Sequence, residues 1–171
     1  MILVALGGNL PHPRWGDPRR TLEESLRQLP AKGVEVVARS RWYTSPPDPP
    51  SAQGWYTNGL AAVQTTLPPR GLLAALLAVE EGLGRKREGE ARNAARTIDL
   101  DLIDYQGLVL RPHRAGDLEL PHPRMHLRSF VLLPLAELAP EWQHPVSHKH
   151  VRDLIAELPA TGRAEPIPNS V

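Results

Sequence analysis

The stretch GRKREGEARNAARTIDLD, residues 84–101, joins two different patterns. Its first part lacks large apolar side chains and carries glycine and charge, which is typical of a loop. From Thr97 to Ile103, acidic and aliphatic residues alternate, and this period of two predicts a β-strand. The loop-like part holds four arginines: Arg85, Arg87, Arg92 and Arg96. We expect residues 85–95 to move and close over a substrate, because little apolar surface anchors them.

Two carboxylates share one face of this predicted strand. Side chains alternate between the faces of a strand, so Asp99 and Asp101 point one way while Leu100 and Leu102 point the other. Carboxylates about 7 Å apart along a strand suit a hard divalent cation such as Mg²⁺. Guanidinium groups beside them suit a polyphosphate, which they bind in bidentate fashion. The stretch therefore indicates phosphoryl-type transfer from a nucleotide.

Composition narrows the class of protein. The 171 residues favour one domain spanning 1–171, with the polar, proline-rich tail 159–171 at its periphery. A net charge of +1 provides no basic field for bulk nucleic-acid binding, and the lack of cysteine excludes disulfides and thiolate metal sites. The apolar start, Met1–Leu6, is too short to cross a membrane. We expect a cytoplasmic protein, and nothing in the sequence demands more than a monomer.

Hydrophobic periodicity predicts alternating strands and helices. Strands are expected at 1–6, 34–43, 58–66 and 97–103, with a turn at 104–107 that leads to a short strand at 108–110. Helices are expected from Pro18, from Arg70 to about Leu83, over 130–138 and over 151–158. The order β-α-β-β-α-β is that of the ferredoxin-like split βαβ fold. The predicted class is therefore α+β, an antiparallel sheet packed with helices in an α/β/α sandwich.

Six motifs distributed along the chain carry a family resemblance. They are Ala5-Leu-Gly-Gly-Asn-Leu10, Tyr43-Thr-Ser-Pro-Pro47, Tyr56-Thr-Asn58, Arg96-Thr-Ile-Asp-Leu-Asp-Leu102, Leu120-Pro-His-Pro-Arg-Met125 and Arg128-Ser-Phe-Val-Leu-Leu-Pro-Leu135. With them the chain resembles the 6-hydroxymethyl-7,8-dihydropterin pyrophosphokinase family over roughly residues 1–143. The resemblance implies a folate-pathway enzyme that transfers pyrophosphate from ATP to the hydroxymethyl group of the pterin and releases AMP.

The resemblance also implies roles for residues on the phosphate side of the site. Asp99 and Asp101 are expected to bind two Mg²⁺ ions that bridge the triphosphate of the co-substrate ATP. Together with Arg85 and Arg96, which hold the moving phosphates, they form the expected catalytic set. Expected nucleotide contacts are Glu80, Arg87, Arg92, Arg96, Leu102, His122 and Arg128.

The expected pterin site follows from the same resemblance. Tyr56 and Phe130 are expected to sandwich the ring, and Asn58 to bind its edge, helped by backbone groups of Ser45 and Pro46. Elementary chemistry agrees, because a flat heteroaromatic needs stacking faces together with hydrogen bonds along its edge. The nucleophile would be the alcohol of the substrate itself, so no serine or cysteine nucleophile is needed. The sequence identifies no general base.

The chain departs from the family pattern at several positions. Gly8 stands where serine is common, and Asn93-Ala94-Ala95 replaces a common Trp-Gly-Pro before Arg96. Leu77 and Pro123 stand where an amide and a tyrosine are familiar. The paired aspartates and the two catalytic arginines are unaffected, so the expected activity stands while closure over the substrate is expected to differ.

Two other classes of function stay open. Split βαβ folds also occur as RNA-binding modules, although the aromatic residues here do not follow the strand motif expected of them. A different Mg²⁺-dependent nucleotide enzyme, such as a nucleotidyltransferase, would also use paired aspartates. It would release pyrophosphate from ATP instead of AMP. The expected partners are small molecules, with no nucleic acid or membrane among them.

Overall fold

The computed structural model describes residues 1–86 and 94–168, which form a six-stranded antiparallel sheet. Its strands are β1 (Ile2–Gly8), β2 (Glu35–Arg39), β3 (Tyr43–Ser45), β4 (Tyr56–Gln64), β5 (Asp99–Tyr105) and β6 (Glu165–Pro166). β1 pairs with β4 on one side and β5 on the other. β2 and β3 follow one another along the far edge of β4, and β6 pairs with β3.

Among the described residues, four α-helices cover the two faces of this sheet. They are α1 (Pro18–Gln28), α2 (Pro69–Gly82), α3 (Ser129–Leu138) and α4 (Val151–Glu157). The first core joins α1 and α2 to one sheet face through residues such as Leu22, Leu76 and Leu100. The second core joins α3 and α4 to the other face through residues such as Leu60 and Leu132. Each buried leucine contributes about 2 kcal/mol, and the predicted α+β sandwich is confirmed.

The helix ends follow the predicted signals. Asp17 caps α1 by accepting a hydrogen bond of 2.7 Å from the Arg19 amide, and Pro18 occupies the first turn, where its missing N–H costs nothing. After α2, Gly84 adopts a φ of +84°, a conformation that favours glycine, and turns the chain toward Arg85. Within residues 1–86 and 94–168, no helix combines the length and the apolar character needed to span a membrane.

The prediction of one continuous strand over 34–43 is wrong. A bulge lies between Val36 and Ala38, and the strand then breaks between Arg39 and Tyr43. At the break, the Leu60 amide donates to the hydroxyl of Ser40 at 3.0 Å. A side-chain oxygen therefore takes the place of a ladder carbonyl, and β2 and β3 pair with different parts of β4.

The segment that follows β5 also differs from the expectation. The turn at 104–107 is present, since Gln106 and Gly107 have positive φ, but Leu108–Leu110 forms no return strand. Instead, Leu110 makes an isolated bridge to Leu120, with N···O distances of 2.9 and 3.0 Å. The tail expected at the periphery supplies the exposed edge strand β6, while Ala164 beside it is buried.

Candidate active site

Small residues of β1 leave room above one face of the sheet. Ala5 lies opposite Asp101 of β5, and Gly7 lies opposite Asp99. On its other side, Gly7 faces Asn58 of β4, and a Cβ atom at Gly7 would come within 3.2 Å of the Asn58 Oδ1 atom. The sheet register therefore brings both carboxylates and an amide to one open floor. Leu100 and Leu102 point into the first core on the opposite face, as the alternation predicts.

Asp99 is held by a buried ionic network. The Arg85 guanidinium, 7% exposed, donates to Asp99 Oδ1, to Glu80 Oε1 at 3.2 Å and to the Ile98 carbonyl at 2.9 Å. Glu80 is 1% exposed and also accepts a 2.6 Å hydrogen bond from the Leu100 amide. The protein tolerates the burial of these charges because they are paired and hydrogen-bonded. The network therefore fixes Asp99 against both α2 and the backbone of β5.

Arg96 holds the second oxygen of Asp99 and is itself fixed by its backbone. Its Nη1 atom lies 2.9 Å from Asp99 Oδ2, and its Nε atom donates to the Ala94 carbonyl at 3.0 Å. The Arg96 amide donates to Asn9 Oδ1 at 2.9 Å, and the Arg96 carbonyl accepts from the amides of Asn9 and Leu10. Arg96 is therefore joined to the end of β1 by both its backbone groups.

Close approach of two backbone segments also fixes this junction. A Cβ atom at Gly8 would lie 2.6 Å from the Thr97 carbonyl oxygen, closer than real Cβ contacts come. Glycine at this position therefore lets the chain before β5 lie directly against β1. Asn9 adds a third segment, because its amide nitrogen donates to Gln53 Oε1 and to the Gly54 carbonyl, both at 3.1 Å.

Asp101 faces a histidine and an arginine from the segment before α3. His122 Nε2 lies 4.0 Å and Arg128 Nη1 lies 3.8 Å from Asp101 Oδ2. Burial, helped by the positive charges of Arg128 and Arg124, lowers the pKa of His122 to about 4. Its Nδ1 atom accepts from the Arg124 amide at 3.1 Å, so the proton of the neutral ring lies on Nε2 and faces Asp101.

A slot with aromatic and proline walls adjoins the carboxylates. Asn58 forms part of its lining and donates to Ser45 Oγ at 2.9 Å. The Arg128 guanidinium lies 5.4 Å from the centre of the Phe130 ring, within the range of cation–π contacts. The residues that line this one cavity include Ser45, Pro46, Pro47, Asp48, Tyr56, Asn58, Arg96, Asp99, Asp101, Arg128 and Phe130.

Comparison with known proteins agrees with this geometry. Residues 3–140 match the family model described as 7,8-dihydro-6-hydroxymethylpterin-pyrophosphokinase (HPPK). The chain belongs to the HPPK family. It is 38% identical over 160 residues to the 2-amino-4-hydroxy-6-hydroxymethyldihydropteridine pyrophosphokinase of Methylorubrum extorquens, covering 93% of this chain and 94% of that protein. It is 39% identical over 164 residues to the Synechocystis sp. protein of the same name, covering 93% and 76%.

Solved structures show the same fold at low identity. A crystal structure of a Plasmodium falciparum HPPK-DHPS triple mutant superposes with a TM-score of 0.70 at 13% identity, covering 91% of this chain. The chain spans 42% of the length of that protein. The predictions of the HPPK family, of its ferredoxin-like fold and of an ATP-dependent pyrophosphokinase are therefore confirmed.

Four of the predicted nucleotide contacts of this HPPK chain need comment. Leu102 has its side chain buried in the first core, 3% exposed, so a contact between this residue and a nucleotide would be made by its main chain. Glu80 is likewise buried, and it supports Arg85 and β5 instead of opening onto the cavity. Arg87 and Arg92 lie outside the residues that the structure describes, as does most of the segment expected to close.

Asn9 is a site residue that the sequence did not identify. Its side chain binds residues of two other segments, which lie 44 to 87 positions away from it in sequence. The Gly-Gly-Asn turn in which it lies is a weak signal, because the same residues end ordinary strands. Such a role becomes visible only when the partner segments are placed in space.

Proposed function

We propose that the chain transfers the pyrophosphoryl group of ATP to the hydroxymethyl oxygen of 6-hydroxymethyl-7,8-dihydropterin and releases AMP. The observation that carries the proposal is one cavity that combines two different surfaces. A slot lined by Tyr56, Phe130 and Asn58 adjoins a face with Asp99 and Asp101 flanked by arginines. The slot suits a flat heteroaromatic, and the charged face suits a metal-bound triphosphate.

The two aspartates are suited to hold Mg²⁺. Both are on one strand, their side chains are 24% and 37% exposed, and Arg85 and Arg96 fix the orientation of Asp99. Mg²⁺ is commonly bound by one or two carboxylates, with phosphate oxygens and water as its other ligands. Bound there, two such ions would neutralise the triphosphate and orient it. Residues 1–86 and 94–168 contain no group of three or more acidic or histidine side chains placed to enclose a metal.

Cationic and neutral donors around the aspartates supply the remaining phosphate contacts. Arg96 and Arg128 both line the cavity, and each already interacts with one of the two aspartates. The lowered pKa of His122 keeps its ring neutral near pH 7, so it offers an N–H donor and not a charge. Fixed donors of this kind stabilise the charge that develops on transferred phosphates.

The pterin would lie between Tyr56 and Phe130, with its polar edge toward Asn58. Asn58 is fixed by its hydrogen bond to Ser45, and β3 and β4 hold both residues in register. In the reaction, the alcohol oxygen forms a bond to the β-phosphorus while the bond from that phosphorus to the oxygen bridging the α-phosphate breaks. The bridging oxygen leaves with AMP, and the proton of the alcohol is released.

The identity of the adenine product tests the proposal. Purified protein is incubated with ATP, MgCl₂ and 6-hydroxymethyl-7,8-dihydropterin, and the nucleotides are separated by chromatography. We expect AMP in step with pterin pyrophosphate, and none when the pterin is left out or the metal is chelated. Absence of AMP, or release of pyrophosphate with adenylated pterin, would contradict the proposal.

A further inference from the structure

His12 occupies a turn that is closed by its own hydrogen bonds. The backbone groups of His12 and Gly16 bond to each other in both directions, at 2.8 and 2.7 Å. Inside the turn, His12 Nδ1 accepts from the amides of Arg14 and Trp15, at 3.0 and 3.3 Å. An Nδ1 atom that accepts must carry no proton, so the neutral ring has its N–H at Nε2.

The Nε2 atom of His12 contacts the end of α2. It lies 3.0 Å from the carbonyl oxygen of Leu83, the residue that caps the C-terminal end of the helix. Carbonyls in the last turn of a helix have no partner within the helix and need one elsewhere. With the tautomer set by the turn, His12 is the donor to this carbonyl. Gly84 and Arg85 follow directly, so the contact lies at the point where Arg85 leaves α2.

The same loop also holds the other end of the arginine-rich segment. Asn9 and Leu10 bond the backbone of Arg96, as described above, and His12 bonds Leu83. The loop after β1 therefore fastens the chain on both sides of residues 85–95. The contact with Arg96 lies beside Asp99. The contact with Leu83 fixes the backbone two residues before Arg85, whose guanidinium is buried.

We propose that His12 is a positioning residue for pyrophosphoryl transfer and acts through Arg85. This inference rests on the proposed function. By binding the Leu83 carbonyl, His12 fixes the backbone from which Arg85 reaches Asp99. When a group beside the reacting phosphates is misplaced, kcat falls far more than the affinity for the substrate does.

Two near-isosteric variants separate the two halves of the imidazole. His12→Asn keeps an acceptor for the Arg14 and Trp15 amides but is too short to reach Leu83. His12→Gln keeps an N–H at about the Nε2 position and loses the acceptor. We expect kcat to fall about tenfold in His12→Asn with the KM for pterin unchanged, and His12→Gln to restore kcat to within about twofold. Equal kcat values in wild type and His12→Asn would overturn the proposal. His113→Asn, at an exposed histidine of another loop, serves as the control.

A double-mutant cycle tests whether His12 acts through Arg85. Arg85→Lys keeps a positive charge but not the set of guanidinium hydrogen bonds to Glu80 and Asp99. If the two residues act as a unit, adding His12→Asn to Arg85→Lys lowers kcat little further. Losses that multiply in full would show that His12 acts by another route, and would overturn the proposal. Thermal unfolding of each variant checks that the fold is kept.

Hydrogen exchange tests the tie without turnover. In His12→Asn, the amides of Gly84 and Arg85 should exchange faster, while those of Arg14 and Trp15 should not change. If exchange at Gly84 and Arg85 is unaffected, the inference that the hydrogen bond from His12 to Leu83 fixes this backbone is wrong, whatever the kinetics show. If the wild type forms no AMP, the proposed function fails on that result, and with it the role in transfer, while exchange still decides the tie itself.

Discussion

The two ends of the cavity are held by different forces. At the phosphate end, Arg85 is buried among Glu80, Asp99 and the Ile98 carbonyl, so charge is balanced inside the protein. At the pterin end, Asn58 and Ser45 lie on paired strands and share a neutral hydrogen bond, and prolines 46, 47 and 49 form the wall. One end depends on a coupled ionic network and the other on sheet register and packing.

This difference determines which properties a substitution at each end should change: stability, turnover or binding. Removing one member of a buried ionic network leaves the other charges unbalanced, so stability and chemistry fall together. Removing one neutral hydrogen bond at the pterin end leaves the strands in place, so it should cost only about 1 kcal/mol of stability and act mainly on binding. Asp101 is the informative exception at the phosphate end, because its carboxylate lies more open, 3.8 Å from Arg128.

The largest expected effect is loss of turnover when either aspartate is replaced, and only the stability of the two variants should differ. In both Asp99→Asn and Asp101→Asn we expect turnover to fall about 1,000-fold or more, because each loses a carboxylate suited to Mg²⁺. Only Asp99→Asn should lower the free energy of unfolding, by about 1–3 kcal/mol, since it weakens the bonds to Arg85 and Arg96. Rates of AMP formation and urea unfolding measure the two quantities.

Two outcomes for this matched pair of variants would contradict the contrast drawn between Asp99 and Asp101. If Asp101→Asn were destabilised as much as Asp99→Asn, the ionic network would extend over both carboxylates. If either variant kept activity near that of the wild type, its assignment as a metal ligand would be wrong.

Glu80 tests the network from its buried side. Glu80→Gln removes the negative charge that balances Arg85 and replaces one oxygen with a donor, in a residue 1% exposed. We expect a loss on the order of 3 kcal/mol in unfolding free energy together with a fall in kcat. The control is Glu81→Gln, the exposed neighbour on the same helix, which should change neither. Equal stability of the two variants would show that Glu80 does not support the site.

Asn58 tests the pterin end. Asn58→Ala removes the amide that faces the slot and leaves Ser45 to solvent or substrate. We expect pterin affinity to fall on the order of 10- to 100-fold, with the affinity for a non-hydrolysable ATP analogue nearly unchanged and a loss of only about 1 kcal/mol in unfolding free energy. Calorimetric titration with each ligand measures the two affinities. A parallel loss of nucleotide affinity would mean that the two ends of the cavity are not independent.

The part of the site that repeats a simple period was predictable from sequence. Strict alternation placed Asp99 and Asp101 on one face, because a strand allows no other arrangement of successive side chains. The start of α1 was equally readable, since a capping Asp followed by Pro acts locally. Both features depend on residues within a few positions of one another.

The rest depends on contacts between distant segments. A carboxylate at the edge of the apolar face of α2 has the pattern of a solvated charge, and only the position of Arg85 and β5 shows that Glu80 is buried. Asn9 and His12 bind partners 44 to 87 residues away. The break after β2 likewise depends on the Ser40 hydroxyl meeting the Leu60 amide of another strand. Sequence periodicity does not reveal contacts between residues that are far apart along the chain.

The smallest expected effect lies outside both ends, at His144. The Nδ1 atom of His144 accepts hydrogen bonds from the amides of Val146 and Ser147. Burial lowers the pKa of His144. His126 and, more weakly, His148 also lower this pKa, while the charge of Asp104 acts in the opposite direction. The unfolded chain protonates this residue below about pH 6.5, so stability present above that pH is lost as pH falls toward the lower folded pKa. His144→Asn keeps an acceptor without titrating, and should lose less stability than the wild type between about pH 7.5 and pH 5. Urea midpoints at the two pH values measure this, and AMP formation at the higher pH should be unchanged. An equal loss in both proteins would show that protonation of His144 is not what weakens the fold in acid.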